Sequence, residues 1–285
     1  MSLPAILTQR LRLPVMASPL FIVSNPDLVI AQCKAGVVGS FPALNARPAS
    51  ALAEWLDRIT GELAAHDRAH PERPSAPFAV NQIVHKSNDR LEHDTFAHKA
   101  IDKGADGLIA VAAGAGGHAG FQSPLALIQE IRQWFDGPLL LSGSITTGRS
   151  VLAAQAMGAD MAYIGSAFIA TREANAGEAY KKMITECSAS DIVHTNLITG
   201  VHGNYLKPSL RAAGLDPDNL PTSDPSKMSF ASDRQKPKAW KDIWGCGQGI
   251  GAIDSVVSAG ELVDRLEREY RAARETLAHQ LKLAA

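Results

Sequence analysis

Residues 104–120 read GADGLIAVAAGAGGHAG. The first part predicts a helix exit and a short apolar strand at 107–112, and the second part is a glycine-crowded turn that delivers His118. Each glycine loses much chain entropy on folding and adds no side chain to a core. We therefore interpret this loop as built for a ligand rather than for packing.

Strands and helices alternate on both sides of this stretch. Strands separated by helices at this spacing indicate βαβ units and a parallel α/β sheet. The predicted strands are 14–19, 37–43, 77–84, 107–112, 138–142 and 161–165, and the predicted helices between and after them are 27–35, 49–63, 87–94, 95–103, 123–135, 149–157 and 173–187.

The rest of the chain predicts additions to this core. We assign 1–187 to a barrel core and 188–258 to a smaller lobe that includes a Pro-, Asp- and Ser-rich cover loop at 215–238. The segment 259–285 predicts an amphipathic C-terminal helix that packs on the barrel exterior.

Composition limits the function classes. A formal net charge of -1 argues against a nucleic-acid or anionic-membrane surface, and no apolar run reaches the roughly 18 residues of a membrane span. The N-terminus does not resemble a signal peptide, and three widely spaced cysteines favour reduced thiols. We expect a cytoplasmic protein that acts on small molecules, and the composition is compatible with a homo-oligomer.

Two successive strand ends carry glycine and serine, LSGSITTG at 141–148 and IGSAF at 164–168. Each presents backbone N–H groups at the carboxyl edge of the sheet, where barrels of this class bind phosphate. A tight strand-to-helix connection would explain one such turn. Two in succession favour a phosphate site.

His118 has two interpretations, a surface-loop histidine or a catalytic one. Its place at the carboxyl end of a strand, after Gly116 and Gly117, favours a group that exchanges protons near neutral pH. We find no metal-ligand spacing and no nucleophile elbow, which argues against metal-dependent hydrolysis and acyl transfer.

Seven segments together resemble the nitronate monooxygenase family of FMN-dependent barrels. They are PVMASPLF at 14–21, FAVNQ at 78–82, the stretch at 104–120, LLLSGSITTGR at 139–149, MGADMAYIGSAF at 157–168, HGNYLKPSL at 202–210 and WGCGQGIGAI at 244–253. The resemblance implies a TIM-type (β/α)8 barrel and oxidation of alkyl nitronates and nitroalkanes by dioxygen to a carbonyl compound and nitrite.

The resemblance also implies roles for individual residues. His118 would deprotonate a nitroalkane or hydrogen-bond the nitronate. Substrate contacts would come from Phe21, Phe121, Tyr205 and Lys207. FMN would be held by Ala17, Ser18, Asn81, Gly116, Gly117, Ser142, Gly143, Gly148, Gly165, Ser166, Gln248 and Gly249.

The chain departs from this pattern at Asp94 and Thr95, where one helix follows another without a strand. The family barrel has eight strands, and this sequence lacks two of them. A βαβ unit takes roughly 30 residues or more. Our hypothesis is a lost segment, either a stretch that the structure leaves out or a deletion from the chain.

Two other functions stay open on the same residues. An FMN-dependent NAD(P)H:quinone or enoyl reductase would use the same barrel with a pyridine nucleotide as donor. A flavin- or phosphate-binding protein without catalysis is the third interpretation.

Overall fold

A computed structural model describes residues 3–81, 93–221 and 241–283. Its centre is a set of six parallel strands, each short and largely apolar. These are β1 (Val15–Ala17), β2 (Gly39–Pro42), β3 (Phe78–Asn81), β4 (Leu108–Val111), β6 (Leu139–Ser142) and β7 (Met161–Ile164). A second, antiparallel sheet consists of β5 (Gly117–His118), β8 (Ile192–Thr195) and β9 (Gly203–Leu206).

Ten α-helices lie among the described residues. They are α1 (Ala5–Thr8), α2 (Pro26–Ala35), α3 (Ala51–Ala69), α4 (His93–Asp102), α5 (Pro124–Arg132), α6 (Gly148–Met157), α7 (Ser166–Ile169), α8 (Glu178–Glu186), α9 (Lys207–Ala212) and α10 (Ala259–Leu283).

The parallel strands lie in the order β3-β2-β1-β7-β6-β4. Four of them form one sheet, and β2 pairs with β3 beside it. Backbone hydrogen bonds of Val38 join the two parts. The N–H of Ala17 donates to the carbonyl of Val38 at 2.8 Å, and the N–H of Val38 donates to the carbonyl of Val15 at 3.1 Å. All carboxyl ends of a parallel sheet meet at one edge, which gathers the loops after β1, β4, β6 and β7.

Local chemistry sets the helix ends. Asn25 begins α2 with a side-chain oxygen that accepts from Leu28 N at 2.8 Å, Pro26 occupies the first turn, and Gly36 ends the helix with a φ of 95°. The long helix α10 packs against α6 and α2. The domain boundaries at 187 and 258 remain a prediction.

The predicted TIM-type α/β fold that lacks two strands is confirmed, since the described strands do not close into a barrel. One helix, α4, runs through Asp94 and Thr95, so the backbone is continuous there. The described parallel strands stay open, so the hypothesis of a lost segment remains a prediction.

One expectation about an element differs from the structure. The helix predicted at 173–187 begins only at Glu178, because α7 and a loop come first. Most of the helix predicted at 87–94 and most of the cover loop at 215–238 lie outside the described residues.

Candidate active site

A cavity of about 300 Å³ opens at the carboxyl edge of the parallel sheet. Its walls come from the loops after β1, β4, β6 and β7 and from the segment 245–249. No lysine, arginine, aspartate or glutamate lines it among the described residues. Polar contacts to a ligand must therefore come from backbone groups, hydroxyls, Asn81 and His118.

Three of these loops meet at the carbonyl of Gly114. It accepts hydrogen bonds from Ser144 N at 3.2 Å and from Gln248 N at 2.9 Å. A Cβ at Gly114 would lie 2.2 Å from Ser144 Oγ, and a Cβ at Gly116 would lie 2.7 Å from Gly247 N. The glycines singled out in the sequence therefore permit close packing of loop on loop, in addition to lining the cavity.

His118 stands on the wall of this cavity, at the end of β5. The register of β5 against β9 places it opposite Gly203, and its Nε2 lies 2.9 Å from Thr199 Oγ1. The residue keeps an exposed surface, while the protein around the ring displaces water and lowers the pKa of His118. A neutral imidazole at pH 7 can act as a base.

Hydroxyl groups supply most of the remaining polar lining. Ser18, Ser142, Ser144, Thr146, Tyr163 and Ser166 contribute them. Burial raises the pKa of Tyr163 to about 12, although a hydrogen bond with Ser18 counteracts this, so the phenol stays protonated as a donor. Ser144 has a φ of 55°, a left-handed conformation that is costly for a serine and that recurs at ligand sites.

The structure brings most of the predicted site residues together. Those that line the cavity are Ser18, Phe21, Asn81, Gly116, Gly117, His118, Ser142, Gly143, Gly165, Ser166 and Gly249. Ser166 also braces the site, because its Oγ accepts from Gly247 N at 2.8 Å.

Other predicted residues lie outside the cavity lining. Ala17 is fully buried behind Ser18, and Gln248 contributes its backbone N–H to the junction at Gly114. Tyr205 is buried in a small apolar cluster with Leu210 and Ile243. Lys207 Nζ lies 3.8 Å from Asp218 Oδ1.

Gly148 and Phe121 also lie outside the cavity lining. The N–H of Gly148 donates to Glu269 Oε2 at 2.7 Å, so this glycine faces α10. Phe121 is 69% exposed and meets His194 and His202 edge-on, at ring-centroid distances of 4.8 and 4.9 Å.

Sequence reasoning missed several cavity residues. Ser144 and Thr146 belong to the glycine-serine loop already singled out, and Tyr163 alternates with the buried Ala162 along β7. The glycine-serine loop and the alternation along the strand were both visible in the sequence. Thr199 could not have been found, because it lies 81 residues from His118 and carries no motif.

A second cavity, of about 580 Å³, adjoins the free edge of β4. Side chains of α4, β4 and α5 line it with Val201, and His118 stands on its wall as well. Ile109, on β4, is 43% exposed. Among the described residues, β4 pairs with β6 alone, so this edge is the place where the missing strands would add.

Residues 95–269 match the family model for nitronate monooxygenase, a span that is more than half of the chain. The chain belongs to the nitronate monooxygenase family. This match includes the loop at 114–118, both glycine-serine turns and the segment at 244–249, which form most of the cavity wall, whereas the loop after β1 and Asn81 lie outside the matched span.

Comparison with individual proteins agrees. A nitronate monooxygenase from Paraburkholderia phytofirmans is 29% identical over 61% of this chain and 51% of its own length. The chain spans about half the length of the curated relatives it matches.

Solved structures share the fold. A nitroalkane oxidase from Streptomyces ansochromogenes superposes with a TM-score of 0.72 at 21% identity, over 95% of this chain and 100% of that one. FabK from Thermotoga maritima superposes with a TM-score of 0.67 at 19% identity, over 98% and 100%.

The described residues contain neither a candidate metal site nor a membrane-spanning helix. No group of three or more His, Cys, Asp or Glu residues there could hold a metal ion. Nor does any helix of residues 3–81, 93–221 and 241–283 have the length and apolarity needed to cross a membrane.

Proposed function

We propose that this chain binds FMN in the 300 Å³ cavity and oxidises alkyl nitronates with dioxygen, giving a carbonyl compound and nitrite. Nitroalkanes enter the same reaction after His118 removes their α-proton. The observation that carries the proposal is one neutral cavity in which the glycine-serine loops and His118 face the same space. Family membership supports it.

The residues present fit a flavin mononucleotide. The cavity lies at the lower end of the volumes typical of ligand sites, roughly 300–1,000 Å³. The backbone N–H groups and hydroxyls of 142–146 and 165–166 would hold the phosphate, as neutral donors do in anion-binding loops. The glycines at 114–117 would lie along the ring system, with Ser18 and Asn81 as further polar contacts.

The protein's own residues would control the proton and the water. Bound FMN would supply the electron acceptor for the oxidation. Apolar side chains that line the cavity, Leu20, Phe21 and Val23 among them, would exclude water from the reacting centre. His118 takes the proton from a nitroalkane, and as imidazolium it donates a hydrogen bond to the nitronate.

Cofactor identity can be tested by thermal unfolding. FMN at a hundred times its dissociation constant would stabilise the native state by about 2.7 kcal/mol. Riboflavin, which lacks the phosphate, would stabilise it less at equal concentration. Equal stabilisation by both would contradict the phosphate assignment, and no stabilisation by either would contradict the flavin site.

Activity can be tested on the protein reconstituted with FMN. We expect oxygen uptake and nitrite release with propyl-1-nitronate, and no comparable oxidation of NADH. NADH-dependent reduction of a quinone or an enoyl thioester without nitronate turnover would favour a reductase instead. Flavin binding without either activity would indicate a non-catalytic protein.

His118→Ala separates the two substrate forms. Because general acid–base groups contribute about 10²–10⁴-fold, turnover of a neutral nitroalkane would fall by that factor. Turnover of the preformed nitronate, which needs no base, would fall much less. Unchanged turnover of the nitroalkane would remove His118 from the mechanism.

A further inference from the structure

The hairpin of β8 and β9 holds His118 by its backbone and by its side chain. Through the antiparallel pairing with β9, Gly117 lies opposite Asn204 and His118 opposite Gly203. The turn of the same hairpin carries Thr199, whose hydroxyl meets the imidazole at 2.9 Å. Asn204 Nδ2 adds a third tie by donating to Ala115 O at 2.7 Å.

The hydroxyl of Thr199 lies within hydrogen-bonding distance of a backbone carbonyl as well as of the imidazole. It donates to the carbonyl of Val201 at 3.2 Å, and a carbonyl can only accept. A hydroxyl has one hydrogen and two lone pairs, so Thr199 accepts from any other partner while it donates to Val201. The Nε2 of His118 is such a partner.

We propose that Thr199 is a positioning residue for the reaction: it holds the neutral imidazole of His118 with the hydrogen on Nε2 and thereby makes Nδ1 the basic nitrogen. This inference rests on the proposed function for its meaning in catalysis. The assignment of the hydrogen to Nε2 rests only on the hydrogen bonds around Thr199.

The proton balance follows from this assignment. A neutral imidazole has one N–H and one lone pair. With Nε2–H donated to Thr199, the α-proton of a nitroalkane is taken by the lone pair of Nδ1, and the electron pair of the broken C–H bond remains on the substrate as the nitronate. The imidazolium that results keeps its Nε2–H bond to Thr199, which stabilises the charged form.

The variants Thr199→Val and Thr199→Ser test the inference. Valine removes the hydroxyl at nearly constant shape, and serine restores it. Thr195→Val is the matched control, because Thr195 lies on the same hairpin and its Oγ1 accepts from Leu197 N at 3.2 Å. Melting temperatures of all three proteins check that the fold is retained.

The first readout is nitrogen NMR of histidine-labelled protein, which distinguishes a protonated ring nitrogen from one with a lone pair. His194 and His202 lie on the same hairpin, and burial together with His194 lowers the pKa of His202. The spectrum of His118→Gln therefore assigns the His118 signals. We expect Nε2–H in the wild type, Thr199→Ser and Thr195→Val, and a mixture of tautomers in Thr199→Val.

The second readout is the pH profile of kcat/KM for a neutral nitroalkane. Loss of a hydrogen bond to a charged group would lower kcat/KM of Thr199→Val roughly tenfold to a hundredfold and move the inflection to lower pH. Thr199→Ser would restore both, and turnover of the preformed nitronate would change little. Tyr205 and Tyr163 stay protonated in this range because burial raises the pKa of each phenol.

Three results would overturn the inference: a wild-type hydrogen on Nδ1, an unchanged tautomer in Thr199→Val, or an equal change in Thr195→Val. A wild-type protein that turns over no nitronate or nitroalkane would instead refute the proposed function. The NMR comparison would still decide the role of Thr199 in that case.

Discussion

At the scale of single residues, His118 depends on neighbours from distant parts of the chain. Its backbone is set by β9, its ring by Thr199, and its pKa by the protein that surrounds it. Desolvation penalises the imidazolium, so the neutral form persists to lower pH than in a free histidine. The residue is suited to act as a base at neutral pH.

This shift predicts a pH dependence. The pKa of His118 lies below the ordinary value of 6.5, so kcat/KM for a neutral nitroalkane should be level above pH 6.5 and should fall below it. The lowered pKa also makes the free energy of unfolding depend on pH. The free energy of unfolding falls as the pH drops below 6.5, because the unfolded state then binds a proton more readily than the folded state. Stopped-flow rates at several pH values would measure the activity limb.

The preformed nitronate is the control for this profile. It requires no base, so its profile should lack the limb assigned to His118. A limb centred above pH 6.5 with the nitroalkane would contradict the assignment.

At the scale of elements, α10 is held against α6 by close backbone contact and against the segment before β1 by ion pairs. A Cβ at Gly148 would lie 2.1 Å from Leu266 O and 2.2 Å from Tyr270 N, so only glycine lets α6 and α10 approach this closely. Arg12 adds ion pairs to Glu267 and to Asp264, the latter at 2.6 Å. The first turn of α6 therefore serves helix packing.

Gly148→Ala should destabilise the protein. The added methyl meets backbone atoms, so α10 must shift, and overpacking of this kind costs about 1–3 kcal/mol. Urea unfolding at constant FMN concentration would measure the loss. FMN affinity should fall little, because Gly148 does not line the cavity.

Gly61→Ala is the matched control, since nothing lies within 4 Å of a Cβ there, within α3. Alanine should stabilise this helix by about 1 kcal/mol relative to glycine. If Gly148→Ala left stability unchanged but reduced FMN affinity tenfold or more, Gly148 would belong to the phosphate site after all.

At the scale of the whole molecule, the described parallel strands end in two free edges, at β3 and β4. An unpaired strand edge is a template for pairing with another chain. The apolar cavity beside β4 and the exposed Ile109 add hydrophobic surface to this edge. An open edge of this kind favours pairing with another copy of the chain.

We expect the protein to self-associate through β4, and Ile109→Lys should reduce this association. A lysine on an edge strand opposes edge-to-edge pairing. Sedimentation velocity over a range of concentrations would measure the monomer fraction. Leu125→Lys is the control, because Leu125 is 59% exposed on α5 and does not line the cavity. An equal effect of both lysines, or none from Ile109→Lys, would contradict an edge contact.

The sequence by itself determined the α/β alternation, the lack of two strands near Asp94 and Thr95, and the loops that form the cavity. These features are local, because hydrophobic periodicity, helix caps and glycine turns are written in neighbouring residues. Only the tertiary structure decided what each glycine does. Gly116 and Gly148 both follow a predicted strand in a glycine-containing loop, yet Gly116 lines the cavity and Gly148 lies against α10.

The partners of His118 were likewise decided by the tertiary structure. Thr199 reaches the ring because the β8–β9 hairpin folds back onto β5, a contact across 81 residues that no local pattern encodes. Long-range strand pairing depends on the whole fold burying its apolar faces together, and the hydrogen bonds of an active site follow from that burial. The stretch at 104–120 therefore predicted where the histidine is, and the fold determined how it is held.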